Sequence, residues 1–379
     1  IIYYIQSRSY IFNKENKMQD QALTSLPQDI NEDQNITTPP ISHSGIHHFK
    51  FHGNASEYFG IWIVNILLTI ITLSLYAPWA KVRRLRYFYG NTEFFERRFD
   101  FTGLPTKILI GRLIALGIYV VFAISSQYSM IATVVGLVAL YAAVPWLIRA
   151  TLRFTARNSK FGNARFYFGG TIKESYKVFL LSILVYIFTL GIFTPVAIWL
   201  YKKYYLNNLY AGQLNFKLNA KWSAYMAAVY IPVFIAIGII AIFSIIYFAM
   251  AGTISGFSPN AIFFGIFTVY AFIGLFIYPL IAARIFITTW NNTTVGNSQF
   301  KTDCNQWRFA WILASNWIVK ILSIGLMSAW AAVRIHKYQI ESMSLILLDD
   351  PDQMMNLAQQ EQSALAEEIS DIFDIDISL

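Results

Sequence analysis

Two charged side chains lie where a lipid-facing sequence should carry none. Lys320 sits midway along the apolar run Trp307–Ala329, and Arg112 lies about one and a half turns inside Thr106–Tyr128. A charge at membrane depth is costly and marks a functional position by default. Arg112 is long enough to snorkel toward the surface, whereas Lys320 escapes the cost only in a wet recess. Two amides share that depth. Asn65 and Asn316 occupy matching places in two similar segments, and an amide in hydrocarbon must find a partner. Both should face protein, as glue between helices or as contacts to a substrate.

A second set is basic and aromatic. Trp79, Lys81, Arg83, Arg84 and Arg86 follow the first apolar run. They suit a helix among anionic headgroups, which makes membrane lipids the expected partner; a snorkelling helix end is the plainer alternative. Arg149 and Arg284 follow Pro145 and Pro279 by four and five residues, as helix-end anchors or as part of an anion-binding ring. His43, His47, His48 and His52 cluster near Glu57. That set lacks the converging ligands a metal requires, so neither metal nor cofactor is expected. The sequence has no Walker loop, no paired carboxylates in an apolar segment and no Gly-x-Ser-x-Gly elbow. Enzymatic activity is not expected.

Seven apolar segments must position these groups: Tyr58–Pro78, Thr106–Tyr128, Ser129–Ile148, Tyr176–Val196, Trp222–Met250, Ala261–Ala283 and Trp307–Ala329. Each approaches the roughly 20 residues that span a bilayer. The 379-residue chain is 56% hydrophobic and only 13% charged, against about 25% charged for a soluble domain. The long runs must therefore face lipid. From His47 to Ile340 there are 26 Lys and Arg against six Asp and Glu, while the stretch after Ile340 holds ten acids and no base. The basic residues flank the apolar runs, so the positive-inside rule accounts for them and nucleic acid is not an expected partner. The linkers around Ser125–Tyr128 and Gly252–Asn260 are uncharged and should face outward; the basic ones should face the cytoplasm. Cys304 is the single cysteine and allows no internal disulfide.

The segments repeat. Phe49-x-Phe51-x-Gly53 matches Phe166-x-Phe168-x-Gly170, and Asn158 to Phe166 matches Asn292 to Phe300. Thr72-Leu73-Ser74-Leu75-Tyr76-Ala77-Pro78 matches Thr189 to Pro195 and Ser323 to Ala329, and Trp79-Ala80 recurs as Trp330-Ala331. Such constant spacing marks an internal repeat. The expected organisation is an unstructured leader over 1–46, a membrane region over 47–340 with units 47–157, 158–291 and 292–340, and an acidic cytoplasmic tail over 341–379. Within the leader, residues 1–17 read like upstream sequence, with Met18 as the start. Three spans per unit would invert the second unit, yet both ends of segments 1, 4 and 7 look cytoplasmic. Either those segments are broken or re-entrant, or the repeats are inverted. The alternation Phe49/Phe51, Phe99/Phe101, Phe166/Phe168 and Leu214/Phe216/Leu218 favours the first, as short strands pairing on one side. The expected class is an all-α membrane protein: a polytopic helical bundle of 3+3+1 apolar segments with a few short cytoplasmic β-strands.

The pattern Phe49, Phe51, Gly53, Asn65, Thr72, Leu73, Ser74, Leu75, Tyr76, Trp79, Ala80, Lys81, Val82 and Arg83 resembles the YjgN family of bacterial inner-membrane proteins, a domain of unknown function. Ser74 replaces the family's glycine, which Gly191 and Gly325 keep in the other copies. The resemblance covers about His47 to Ile340. It implies a multi-pass protein of the bacterial inner membrane, and it supplies no catalytic residue and no substrate; the charge pattern, apart from the resemblance, leads us to expect cytoplasmic N- and C-terminal segments. Two functions remain open: a transporter of a small, anionic solute, and a non-transporting scaffold that organises lipid or partners, with a homo-oligomer compatible with either.

Overall fold

The computed structural model describes residues 45–251, 265, 268, 269, 271 and 273–348. The leader up to Ser44, the uncharged linker Gly252–Asn260 and the tail after Leu348 lie outside the described residues.

Eleven short strands run through the described chain: β1 Ile46–His48, β2 Lys50–Phe51, β3 Thr92–Phe94, β4 Arg97–Phe101, β5 Ser159–Phe161, β6 Ala164–Phe168, β7 Leu209–Ala211, β8 Leu214–Leu218, β9 Thr293–Val295, β10 Ser298–Thr302 and β11 Met343–Ile346. They form one sheet in the order β1-β11-β10-β9-β8-β7-β6-β5-β4-β3-β2. Every pairing is antiparallel. Only Phe49 separates β1 from β2, so the two ends of that order are consecutive in the chain and the sheet closes into a barrel. This corrects the expected all-α class. The strands are two to five residues long, and partners such as Ile46 and Ile346 stand far apart in sequence, so neither length nor local pattern announces a barrel.

Five helical hairpins are inserted into this barrel. The short ones are α1 Ala55–Ile71 with α2 Ala77–Gly90, α5 Ile172–Phe188 with α6 Thr194–Asn207, and α9 Gln306–Leu322 with α10 Ser328–Glu341. The long ones are α3 Pro105–Tyr128 with α4 Met130–Arg157, and α7 Trp222–Ala251 with α8 Tyr278–Trp290, the last entered through a π-helical turn over Ile273–Ile277. Each hairpin leaves an even-numbered strand and returns into the odd-numbered strand paired with it. The helices pack in one ring, α1 against α2 through to α10 against α1.

Helix length separates the two kinds of hairpin. Seventeen residues, as in α1, α5 and α9, rise about 25 Å, short of the roughly 30 Å hydrocarbon core. The 24 residues of α3 and 28 of α4 exceed it. Four helices, α3, α4, α7 and the run from Ile273 to Trp290, are long and apolar enough to cross a membrane. The short hairpins turn back inside it, and their tips are greasy: Leu73 is 88%, Leu190 90% and Ile324 93% exposed.

A chain can reverse in lipid only if its backbone is satisfied internally. Each tip achieves this the same way. Ser74, Gly191 and Gly325 donate their N–H to Thr69, Tyr186 and Lys320, while Leu73, Leu190 and Ile324 donate to Ile70, Ile187 and Ile321. That pair of bonds is a Schellman motif. The Thr72 hydroxyl then accepts from the Tyr76 N–H at 3.0 Å, Thr189 from Phe193 at 3.1 Å and Ser323 from Met327 at 3.1 Å. One side chain thus closes the first helix and starts the second. Because all hairpins begin and end at the barrel, both ends of segments 1, 4 and 7 lie on its side, which fits the broken or re-entrant arrangement and not the inverted one.

Inside the barrel, one phenylalanine per hairpin unit forms a pentagon. Phe49, Phe99, Phe166, Phe216 and Phe300 follow one another at ring separations of 6.4, 6.4, 6.3 and 5.9 Å, and Phe300 returns to Phe49 at 6.4 Å. Four of the five neighbouring pairs lie within 24° of parallel. With near five-fold symmetry, that requires rings tiled flat across the barrel axis. Their cross-strand partners Phe161, Ala211, Val295 and Leu345 fill the same layer. Four residues beyond each ring the chain needs a small residue. A side chain at Gly53 or Gly170 would strike the ring of Phe51 or Phe168 and the hydroxyl of Tyr87 or Tyr204. Where the flanking residue is Leu218 or Thr302, Ala220 and Cys304 fit.

Two measurements check this fold. In a background lacking Cys304, cysteines placed at Arg86 and Lys203 should react with an impermeant thiol reagent from the same membrane side; opposite sides would contradict barrel closure. Ser74 holds a φ of +72° where its counterparts are Gly191 at +82° and Gly325 at +85°. A left-handed non-glycine residue costs about 1–2 kcal/mol, so Ser74→Gly should stabilise by about 1 kcal/mol and Gly191→Ser should destabilise by at least as much, read as opposite shifts in melting temperature in detergent.

Candidate functional site

Three of the four membrane-depth residues picked out in the sequence meet. Asn65 on α1, Arg112 on α3 and Lys320 on α9 line one recess of about 520 Å³ with Lys81 and Arg84 of α2. Tyr58, Trp62 and Thr69 of α1 and Ser328 of α10 complete its polar and aromatic wall. Four cations therefore converge from three helices, and no carboxylate lines the space. The ring order explains the meeting: α1 lies between α2 and α10, with α3 and α9 flanking.

Asn316 is placed elsewhere. Its amide nitrogen donates to Ala331 at 3.1 Å, and its oxygen accepts from Arg334 Nη1 at 3.1 Å, which also donates to Ser315 at 2.7 Å. It ties α9 to α10. Asn65 occupies the same repeat position, yet its buried Oδ1 finds no donor among the described residues. Arg83, the counterpart of Arg334, lies over the Tyr76 ring instead, at 5.7 Å. The repeat thus supplies an internal comparison: one asparagine is satisfied by its own hairpin, and the other borders the recess with an open acceptor.

The basic-aromatic set divides. Lys81 and Arg84 turn to the recess. Arg86 donates to the Phe101 carbonyl at 3.1 Å and straps α2 to the end of β4. Trp79 packs beside the Tyr76 ring at 6.0 Å. Arg149 and Arg284 serve similar straps. The first donates to the Gly170 carbonyl at 2.6 Å, and the second to Gln306 at 2.9 Å. Neither lines the recess. Among the histidines, His52 pairs with Glu93 at 2.9 Å and His47 packs on Phe95; His43 lies outside the described residues.

Sequence reasoning passed over His336 and treated Lys202 only as part of a basic linker. Both line a second chamber beneath the phenylalanine tiles. His336 sits edge-on to Phe88 at 4.6 Å and Phe51 at 4.9 Å, with Thr92 at 3.4 Å. Burial, with the nearby Arg84 charge adding to it, pushes its imidazole down to about 4. Repeat position was the available signal. Two residues before the shared tyrosines Tyr87, Tyr204 and Tyr338, the three short hairpins hold Leu85, Lys202 and His336.

A closed barrel carrying four spanning helices and three re-entrant hairpins makes this a multi-pass membrane protein. The chain belongs to the family described as "Bacterial protein of unknown function (DUF898)", whose model matches residues 46–372. It is 33% identical over 142 residues to Inner membrane protein YjgN of Escherichia coli K12, covering 37% of this chain and 35% of that one, and equally to the protein of that name in Escherichia coli O157:H7. The Salmonella typhimurium protein of the same name is 29% identical over 157 residues, 41% of this chain and 37% of its own. The matched stretch thus spans little more than a third of these relatives. No solved structure matches. The relatives' names and the four apolar helices together support a bacterial inner-membrane location.

The buried imidazole gives a pH dependence. Unfolded, His336 takes its proton near 6.5; folded, only near 4. Between those values the unfolded chain binds more protons, so stability is full above pH 6.5 and falls as pH drops toward 4, by roughly 3 kcal/mol. Melting temperature against pH should show that decline in the wild type and a flatter one in His336→Gln; parallel curves would contradict it.

Proposed function

We propose that the protein is a transporter of a small anionic solute, held in the recess of Lys81, Arg84, Arg112 and Lys320. The convergence of those four cations on a space without a carboxylate carries the reading. Like charges brought together in one recess repel one another, and an anion between them converts the repulsion into attraction. The volume suits a small solute. The open Oδ1 of Asn65 adds an acceptor for a hydroxyl or a protonated acid oxygen. On this reading the barrel faces the cytoplasm, because α2, α4, α6 and α10, the helices that lead back into its strands, carry clustered basic residues such as Arg86, Arg157, Lys203 and Lys337.

A lipid phosphate offers the same chemistry, and one observation favours that source. Lys320 is two residues from the end of α9, whose tip carries the lipid-exposed Leu322 and Ile324. An anionic headgroup entering between hairpins would then make the protein an organiser of lipid.

Proteoliposomes loaded with a panel of labelled small anions, phosphate included, separate the two. Transport predicts saturable uptake that falls at least tenfold in both Lys320→Ala and Arg112→Ala and is spared in Arg165→Ala, a strand charge away from the recess. Unchanged uptake in both recess variants would defeat the reading. Absent uptake, with anionic lipid retained by the purified wild type and lost from the variants, would establish the lipid source.

A further inference from the structure

The chamber beneath the tiles is distinct from the basic recess: each is about 520 Å³, and they share no lining residue. Its roof is Phe49, Phe99, Phe166, Phe216 and Phe300. Its floor is made by the barrel-proximal ends of α2, α4, α6, α8 and α10, through residues such as Leu152, Lys202, Tyr205, Trp290 and His336. The walls are overwhelmingly apolar and hold no carboxylate.

We propose that this chamber binds a monoanionic amphiphile, a molecule with an acyl or aromatic body and one acidic group, with the body against the phenylalanines and the acid at Lys202. Size permits it, since ligand pockets run about 300–1,000 Å³. Charge requires it. No described residue accepts a hydrogen bond from Lys202 or pairs with it, whereas the adjacent Lys203 is engaged over the Trp199 ring at 4.9 Å. An ammonium in an apolar space without a counter-ion is costly, and a bound acid removes that cost. The count of charges sets the valence. His336 is the other ionisable base on the floor, and its depressed imidazole is neutral at physiological pH, leaving Lys202 as one positive charge. The repeat supports a ligand role over a structural one. The first short hairpin builds the same helix and the same tyrosine strap with Leu85 in that position.

The full chain in lipid nanodiscs, titrated with a dibrominated stearic acid, tests this through quenching of tryptophan fluorescence. Trp290 lines the chamber, so a saturable quenching component should be present in the wild type and lost in Trp290→Phe. Lys202→Met should weaken the acid at least tenfold and leave the equally brominated stearyl alcohol unaffected, while Lys202→Arg should restore the acid. Lys320→Ala should change nothing, which separates this site from the recess. Quenching that never saturates, that survives Trp290→Phe, or that is equal in Lys202→Met and wild type would overturn the proposal.

Discussion

Closure of the backbone ladder governs the molecule. At a membrane surface an open sheet edge leaves a row of unpaired N–H and C=O groups, exposed to other chains on one side and to lipid on the other. This chain removes both edges by joining its two ends. β11 pairs with β1, Leu347 N–H donates to Gly45 at 3.1 Å, and Phe49 carries the same strand on to pair with β3. Once the ladder is closed, an excursion from it must come back to the neighbouring strand. Five excursions therefore become five hairpins, each starting and ending at the barrel, whatever their length.

That constraint also explains why the short hairpins are so alike and the long ones so different. The α3–α4 hairpin is long enough to cross the bilayer and turn at Ser129 where water can satisfy it. A short hairpin turns in lipid and must carry its own hydrogen-bond partners, which fixes a hydroxyl at Thr72, Thr189 and Ser323 and a left-handed pair just after it. In the long hairpins the selection is only for greasiness, with local repairs. Pro145 inside α4 is met from α5, where Ser175 donates to the Pro145 carbonyl and Tyr176 to that of Ala142.

Legibility in the sequence follows the same division. The tips of the short hairpins were readable as a repeat because their chemistry is fixed, and the charges at Arg112 and Lys320 were readable because lipid makes them conspicuous. Asn65 and Asn316 looked equivalent, and only three-dimensional neighbours separate them, Arg334 reaching one while Arg83 lies on Tyr76. The barrel was not readable. Its strands are too short for periodicity, and five-fold symmetry is hidden by two hairpins that share no motif with the other three. Phe99 and Phe216 could be seen to alternate, but nothing local says that they meet Phe49 and Phe300 across an axis. Lys202 and His336 were missed because a basic residue near a helix end has an ordinary explanation until the chamber above it is known.

The tiles and the hairpins then divide the labour of access. Five aromatic rings across the axis form an apolar constriction, and such a constriction stops ions by dewetting. On the transport proposal, a charged solute in the recess therefore has no easy path along the barrel. The elements around that recess are α1, α2, α9 and α10, the two short hairpins that adjoin where the barrel closes, and Arg112 reaches in from α3. The short hairpins of α1–α2 and α9–α10 are held by the barrel at one end and present exposed apolar tips such as Leu73 and Ile324 at the other, whereas a hairpin long enough to cross the bilayer is anchored at both faces. Motion that opens the recess is accordingly cheapest in the hairpins that carry Lys81, Arg84 and Lys320. Three of the four cations, Lys81, Arg84 and Lys320, lie on the elements best able to move, and the aromatic seal lies on the element least able to.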